Sequence, residues 1–400
     1  GKNIVNWVNG KKRSEEAGII GCGIRASLWQ SVLANGIFAH ASELEDDRFS
    51  AGTAWDITTF PLTIPLAERF ELTGGELLEI SAVGLEVHSR TCLFYPGGYM
   101  GLTVIPGAIG PAAAAARALG LDVSQTMAAM GLSMSAPPIS YVNFGTDSHY
   151  FESALHCLQA LLAAEFAGQG LTSNPDIETY MSNIVGHENV KGSEMTADIG
   201  GKWLLHDIWV KKYPCCFHMH RHIDSLIEIM KEQNISYDQI ENLNVHIAPV
   251  AAVCDRPEPK TIGDIQFSFH HALASVMLDG DVNYKHIDVN TAADPKYREA
   301  AQKVELILHE DWATRYHMGK PARIEVNLKN GRSFSKERAW AIGAPEEPLQ
   351  MKDFKALFVK FTRGILPEEK CFRIADAIAD MENLNAKDLK CVMEMMVFIP

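Results

Sequence analysis

Apolar residues recur at helical spacing along most of the chain. One predicted helix between residues 59 and 90 carries a single apolar face made of Leu77, Ile80, Val83 and Val87. The same spacing predicts further helices over residues 112–119, 124–134, 220–229 and 266–278, and three more after Pro348. In the helix expected after residue 149, the predicted buried side carries Leu155, Leu158, Leu162 and Phe166.

Strand patterns begin only after about Trp209. Residues 243–247 are typical of a strand, and residues 323–328 alternate between apolar and polar side chains before Asn330-Gly331. Asn-Gly between two such runs is a strong hairpin signal, because both residues tolerate the left-handed backbone of a tight turn. Since helical patterns return after Pro348, the strands lie in the middle of the chain.

The order of these patterns predicts a mainly α fold with two domains. A chain of 400 residues exceeds a single hydrophobic core. We predict a large all-helical domain formed from both chain ends, residues 1–206 and 343–400, and a smaller inserted α+β domain over residues 207–342. Residues 1–35 are helix-prone but begin abruptly, without a capping signal before Asn3, so further helices are expected to precede them.

Composition and charge narrow the range of partners. The chain is 47% hydrophobic and 22% charged, as ordinary globular proteins are. Its net charge of -14 argues against nucleic acid or an anionic membrane surface as a partner. Eight scattered cysteines and no secretory signal predict free thiols and a cytoplasmic location. The uncharged run over residues 91–116 contains several prolines and glycines, which favours a buried loop over a membrane span.

A glycine motif lies near the start of the chain. Residues 21–26 match the phosphate-binding pattern GxGxxA, and Glu43 lies near the distance expected for a ribose ligand. Only residues 17–20 could form the preceding strand, and no strand–helix alternation follows. The motif alone is therefore a weak indication of a dinucleotide site, and no cofactor is predicted from it.

The densest group of chemically reactive side chains is KKYPCCFHMHRHID, residues 211–224. Pro214 cannot sit inside a long helix, so Lys211 is expected on an extended or irregular segment ahead of the helix that follows. Because helix N-termini favour anions, the group predicts an anion-binding site. Two alternatives remain open: an exposed lysine beside buried filler cysteines, and a zinc site of His218, His222 and one cysteine.

Two further stretches carry candidate acid–base groups. Residues 43–47 contain four acids: Glu43, Glu45, Asp46 and Asp47. Such a run is usually a solvated face, but closely packed like charges also raise each other's pKa and so produce a usable general base. The loop over residues 143–149 leads into a helix whose start carries His149 and Glu152, which together form a candidate site edge.

Six segments, in this order, resemble the MmgE/PrpD family: NGIFAHASELEDD (35–47), FYPGG (94–98), NFGTDSHYFESA (143–154), GLTSNPDI (170–177), KKYPCCFHMH (211–220) and QFSFHHALASVMLDG (266–280). That family includes 2-methylcitrate dehydratase, cis-aconitate decarboxylase and iminodisuccinate epimerase. The resemblance implies that the smaller domain is a lid, that the pocket lies between the domains, that the protein is a homodimer, and that no metal or organic cofactor is used. It also implies proton abstraction next to a carboxylate, followed by loss of water, loss of carbon dioxide, or reprotonation on the other face.

The resemblance assigns candidate site residues, several of them altered. The aspartate of the family's acidic motif and the threonine four residues later fall on Glu43 and Asp47, and a histidine falls on Tyr95. The lysine and the histidine of a later motif fall on His149 and Glu152.

In the predicted lid, the family's lysine is kept as Lys211 and its later histidine as His220, while a tyrosine of the decarboxylase branch falls on His271. Cys216 of the same segment is included as a substrate-binding candidate. The predicted catalytic residues are Glu43, His149, Lys211 and His271. The predicted substrate-binding residues are Asp47, Tyr95, Glu152, Cys216 and His220.

These residues predict a cofactor-independent lyase or isomerase that acts on a small organic acid. Glu43 or His149 would be the base, Lys211 with His220 would neutralise a substrate carboxylate, and His271 would donate a proton. Polycarboxylate binding needs several cationic donors, and at least two of the family's donors are replaced here by acids or neutral groups. A smaller acid, or one that carries an amine, is therefore expected in place of a citrate-like tricarboxylate. The alternative is a catalytically silent family member that binds a small ligand or acts only as a dimer.

Overall fold

The computed structural model describes residues 1–11, 14–48, 53–54, 56–93, 107–136, 141–312 and 322–397, and this part of the chain is mainly helical, as predicted. The first half contains α1 (Lys2–Asn9), α2 (Leu28–Ala41), α3 (Asp56–Arg69), α4 (Gly74–Leu93), α5 (Ile109–Ala118), α6 (Val123–Ser133), α7 (Asp147–Gly168), α8 (Ile177–Val185) and α9 (Gly192–Thr196). The second half contains α10 (His220–Glu232), α11 (Ile262–Gln266), α12 (Phe269–Asp279), α13 (Val289–Ala293), α14 (Pro295–Ala301), α15 (Met351–Thr362), α16 (Glu368–Ala379) and α17 (Ala386–Val397). The helix predicted over residues 266–278 is thus two helices, α11 and α12.

Three small sheets accompany the helices. The strands are β1 (Ala17–Ile19), β2 (Ile24–Ala26), β3 (Asp46–Arg48), β4 (Thr53–Ala54), β5 (Trp209–Val210), β6 (Ile240–Ile247), β7 (Val304–Leu308), β8 (Ala322–Leu328) and β9 (Ser333–Arg338). They form the pair β1-β2, the sheet β4-β3-β5 and the sheet β7-β6-β8-β9. In the last sheet β6 runs parallel to β7 and antiparallel to β8, and Asn330-Gly331 turns β8 back into β9, as predicted.

The helical core of the first half is built from small side chains. Besides His156, the fully buried residues of α7 are Ser153, Ala154, Cys157, Ala160, Leu161, Ala164 and Ala167. The predicted buried side was wrong: Phe166 is 49% exposed, and Leu155, Leu158 and Leu162 are only half-buried. Small residues occupy the buried face of α7 because they let this helix approach α2 and α5 closely, so that the helix backbones lie near each other.

The two ends of the described chain meet in this helical part. Leu389 and Met393 of α17 pack against Leu77 and Ile80 of α4. The backbone N–H groups of Gly21 and Gly23 donate to carbonyls at the end of α17 at 2.9 and 2.7 Å. Both glycines have positive φ and form the turn between β1 and β2. The glycine motif is therefore a hairpin turn, and the helical prediction for residues 1–35 was wrong at residues 17–26.

A second core lies around the four-stranded sheet. Its apolar residues come from β6 and β8 and from the inward faces of α10 and α12. Among the described residues, each helix is too short or too polar to cross a membrane. The division into two domains, the lid and the homodimer stay predictions, and most of the segment predicted to be a buried loop, residues 94–106, lies outside the described residues.

Gly36→Ala tests the close packing of α2 on α7. A Cβ at Gly36 would lie 2.8 Å from Cα of Ala154 and 2.9 Å from its Cβ. Because backbone has to move, we expect a loss of about 1–3 kcal/mol in the free energy of unfolding, measured by urea denaturation. Gly75→Ala is the matched control, since its Cβ would meet nothing closer than a carbonyl oxygen at 3.5 Å. Equal stability of the two variants would contradict this packing.

Buried neutral histidines should make the protein sensitive to mild acid. Burial lowers the pKa of His222 to about 4 and that of His88 to about 3. Between pH 6.5 and 4 the unfolded chain therefore binds protons that the folded chain excludes, so stability falls as the pH falls. His222→Gln keeps a donor for the carbonyl of His246, which His222 Nε2 contacts at 3.0 Å. We expect this change to reduce the slope of the unfolding free energy against pH, measured by urea denaturation, by about 1.4 kcal/mol per pH unit between pH 6.5 and 4. The exposed His206, changed to Gln, should leave the slope as it was.

Candidate active site

The acidic run after α2 is buried in the protein and does not form a solvated face. Glu43 is 1% exposed and Glu45 is 6% exposed. Glu43 also has a φ of 50°, a left-handed conformation that is unfavourable for a residue with a side chain and needs support from its surroundings. This turn joins α2 to β3, so its position is fixed at both ends.

Pairing of β3 with β5 brings Lys211 to this turn. The register places Asp46 opposite Val210 and Asp47 opposite Trp209, so the residue that follows β5 meets the residues that precede β3. Lys211 is 4% exposed, and its Nζ donates to Glu43 Oε2 at 2.8 Å and to Glu45 Oε1. The extended segment predicted before Pro214 is therefore present, and its lysine is a buried ion-pair partner of two carboxylates.

Two histidines complete the cluster from neighbouring helices. His149 lies in the first turn of α7, and His40 lies in the last turn of α2, with ring centroids 4.1 Å apart. One ring nitrogen of each histidine and one carboxylate oxygen of Glu43 lie within 4.8 Å of one another. His40 Nδ1 is 2.8 Å from Ser153 Oγ, whereas His149 Nδ1 has no hydrogen-bond partner among the described residues.

His40 was missed by the sequence interpretation. It precedes Glu43 by three positions, and that spacing at the end of a helix is a usable signal for a shared site. Its role could not be read from the sequence, because an isolated histidine next to apolar residues is equally typical of a core position.

Burial sets the protonation of the cluster. It raises the pKa of Glu43 to about 8, with the charge of Glu45 acting in the same sense and Lys211 in the opposite one. It lowers the pKa of His40 to about 3 and that of His149 well below its ordinary value. Burial also disfavours the ammonium form of Lys211, but the nearby carboxylates outweigh it and raise the lysine pKa well above its ordinary value. At neutral pH the site therefore holds an ammonium, two neutral imidazoles and a carboxyl group that can both give and take a proton.

Asp47 and Glu152, predicted to bind substrate, differ in their surroundings. Asp47 is half-buried on β3, and burial raises its pKa well above the ordinary value against the opposing charge of Lys211. Glu152 accepts a hydrogen bond from the side chain of Asn143. Tyr95 lies outside the described residues.

Cys216 lies in the turn before α10, and His220 is the first residue of that helix. Burial raises the pKa of the Cys216 thiol, but its hydrogen bond with the Cys254 thiol and the charge of Lys211 outweigh burial and leave this pKa below its ordinary value. His220 Nε2 is 3.1 Å from the carbonyl of Cys215, and the ring stacks on Phe217. Among the described residues, the potential metal ligands that converge are His40, Glu43 and His149, so the alternative zinc set of His218, His222 and a cysteine is not assembled.

His271 lies in a different environment from Lys211. Its Nε2 is 2.7 Å from the carbonyl of His286, and its ring stacks on Tyr297. The same two residues, His271 and Tyr297, line a cavity of about 510 Å³ beside α14. The contacts described for His271 thus lie within the segment α12–α14.

The chain has relatives along nearly its whole length. Residues 1–180 match the MmgE/PrpD N-terminal domain, and residues 213–383 match the MmgE/PrpD C-terminal domain. It is 24% identical over 382 residues to a cis-aconitate decarboxylase of Homo sapiens, and this alignment covers 90% of this chain and 78% of that protein. It is 23% identical over 376 residues to a cis-aconitate decarboxylase of Mus musculus, and this alignment covers 88% of this chain and 75% of that protein. Glu43 and His149 lie within the N-terminal match, and Lys211 lies just ahead of the C-terminal match.

Lys211→Met tests the ion pair at the centre of this cluster. The change leaves Glu43 and Glu45 buried without a cation, so we expect a loss of about 3–5 kcal/mol in unfolding free energy at pH 8. The loss should shrink at pH 5.5, because Glu43, whose pKa is raised to about 8, is then protonated and needs no cation. Lys336→Met is the control, because Lys336 pairs with Glu228 and Glu232 at a site that is 27% exposed, and we expect it to cost less than about 1 kcal/mol. Equal small losses of unfolding free energy in the two variants at pH 8 would show that the buried ion pair contributes little to stability.

Proposed function

Because the chain belongs to the MmgE/PrpD family, we propose that it is a lyase or isomerase that removes a proton next to a carboxylate of a small organic acid. Two relatives that are cis-aconitate decarboxylases support chemistry of this kind. The observation that carries the proposal is the buried Lys211 ammonium held at 2.8 Å from Glu43, a carboxyl group whose pKa is raised to about 8.

In this proposal Glu43 is the base. Removing a proton next to a carboxylate builds negative charge on the substrate, and the reaction is fastest when the base has a pKa near the working pH. Glu43 meets that condition better than His149, whose pKa is far below neutrality. The neutral imidazole of His149 would then accept a hydrogen bond from substrate or from protonated Glu43. The return of a proton by His271 remains a prediction from the family resemblance.

Lys211 would stabilise the charge that develops on the substrate. An ammonium fixed in a site that excludes water stabilises an enolate-like anion more strongly than it would in solvent. Lys211 already contacts Glu45, so a substrate carboxylate would have to replace Glu45 as the partner of the ammonium group. Protonation of Glu43 would make this exchange easier, because it leaves Lys211 with one fewer anion.

The charge of the site limits the substrate class. Glu43, Glu45 and Asp47 face one ammonium, and each further substrate carboxylate would add repulsion. A tricarboxylate fits this balance poorly. We propose a monoacid or diacid, with an amino or imino nitrogen as an additional group that the acidic residues could bind.

One observation favours a second candidate, a catalytically silent member of the family that binds a small ligand. Lys211 is saturated by two carboxylates, and the side chains of the cluster are almost completely buried. A site of that kind could be a structural ion pair. Ligand-dependent thermal stabilisation without any turnover or isotope exchange would favour this candidate over the enzyme.

Deuterium exchange tests the proposed chemistry. The protein would be incubated in deuterated buffer with cis-aconitate, 2-methylcitrate and a set of small hydroxy-, amino- and imino-diacids, and followed by NMR. We expect deuterium next to a carboxylate, or product formation, with at least one of the smaller acids. The rate should rise about tenfold per pH unit up to about pH 8 and level off above it, because ionised Glu43 is the active form.

Glu43→Gln should lower that rate by about 10²–10⁴-fold while the protein stays folded, as judged by circular dichroism. Glu79→Gln is the matched control, because Glu79 forms an exposed ion pair with Arg117 and should change nothing. Full activity of Glu43→Gln would refute the role of Glu43, and the absence of exchange with every acid would refute the proposed enzyme.

A further inference from the structure

We propose that His40, Glu43 and His149 form a binding site for a divalent transition-metal ion of the zinc class, and that occupation of this site inhibits the enzyme. The three side chains come from the end of α2, from the turn after it and from the start of α7. One potential ligand atom from each lies within 4.8 Å of the other two. Binding does not depend on the proposed function, and only the inhibition rests on it.

The hydrogen-bond pattern leaves a lone pair free on each of the three side chains. Ser153 Oγ donates its proton to the carbonyl of Tyr150 at 3.0 Å, so it accepts from His40 Nδ1 at 2.8 Å. Since Nδ1 of the neutral ring then carries the proton, Nε2 of His40 carries a lone pair. An outer hydrogen bond of this kind is the usual way in which a metal-binding histidine is oriented.

The other two side chains also offer free acceptors. His149 is 6% exposed, and its Nδ1 has no partner among the described residues. Lys211 occupies only Oε2 of Glu43, and Oε1 has no partner in the same part of the chain. Buried acceptors without a donor are unfavourable, so this arrangement is stabilised by a cation that all three can share.

The ligand types and the charge indicate which cation fits. Two imidazoles and one carboxylate are ligands that zinc commonly accepts, whereas calcium and magnesium prefer oxygen alone. Zinc ligands lie about 3.3 Å apart when the bond lengths are about 2.0–2.1 Å, so the side chains would move together slightly. The ammonium of Lys211 repels the ion and should hold the affinity in the micromolar range.

Metal binding would stop the proposed reaction for a simple reason. The ion would occupy Oε1 of Glu43, the oxygen that is free to accept the substrate proton. It would also hold His149 in place and keep it from substrate.

Zinc titration of the full chain tests the site directly. After treatment with a chelator, the protein would be titrated with zinc chloride by calorimetry, and we expect one ion per chain with a micromolar Kd. His40→Gln and His149→Gln should each weaken binding at least tenfold, and His187→Gln, at an exposed position, should leave it unchanged. A Kd unaltered in both site variants, or no saturable binding, would overturn the proposal.

A second measurement separates this site from the cysteines near Lys211 and does not need a variant that folds. Cobalt(II) would replace zinc in the unaltered protein, and its absorption spectrum would be recorded. Nitrogen and oxygen ligands give d–d bands without the intense thiolate charge-transfer band, which is the expected result. A thiolate band would assign the metal to the cysteines and overturn the proposal.

The failure of this proposal can be told apart from that of the proposed function. If zinc binds with the expected ligands but no acid exchanges deuterium, the metal site stands and the enzyme does not. If exchange occurs and stoichiometric zinc leaves its rate unchanged, the inhibition is refuted even though the enzyme is real.

Discussion

The buried contact of Lys211 with Glu43 and Glu45 is the interaction on which the candidate site depends. It joins residues more than 160 positions apart, across the pairing of β3 with β5. Removing three charges from water costs several kcal/mol per ion, and the attraction between them recovers this only when geometry and hydrogen bonding are good. Here each carboxylate keeps one oxygen without a partner among the described residues, so the recovery is incomplete. Buried charges with perturbed pKa values are found both in structural ion-pair networks and at sites that bind a ligand.

The helices and the hairpin could be predicted because their signals are local. Apolar spacing marked α4 and α10, and Asn330-Gly331 marked the turn between β8 and β9. The acidic turn and Lys211 were also found from sequence, since four acids in five positions and a lysine before Tyr-Pro are unusual. That they meet was inferred from the family resemblance, because pairing of β3 with β5 involves strands of two or three residues that carry no pattern of their own.

The errors have physical causes as well. Hydrophobicity alone favoured leucines for the buried side of α7, but the distance between helix backbones favours alanine and serine there. His40 was passed over because sequence does not show burial, and burial is what makes its ring neutral and places it beside His149.

The two proposals for the site have one electrostatic origin. Three acidic side chains, Glu43, Glu45 and Asp47, interact with the single ammonium of Lys211. Burial, and after it the charge of Glu45, raises the pKa of Glu43 to about 8 in spite of that ammonium. A proton on Glu43, an amine on the substrate and a metal ion are three ways to supply the missing positive charge. They compete for the same carboxylate oxygen, so a protein that uses the proton for catalysis is necessarily open to inhibition by the metal. Weak metal binding then follows from the need to keep Lys211 charged, since the ammonium that stabilises the substrate anion is also what repels a second cation.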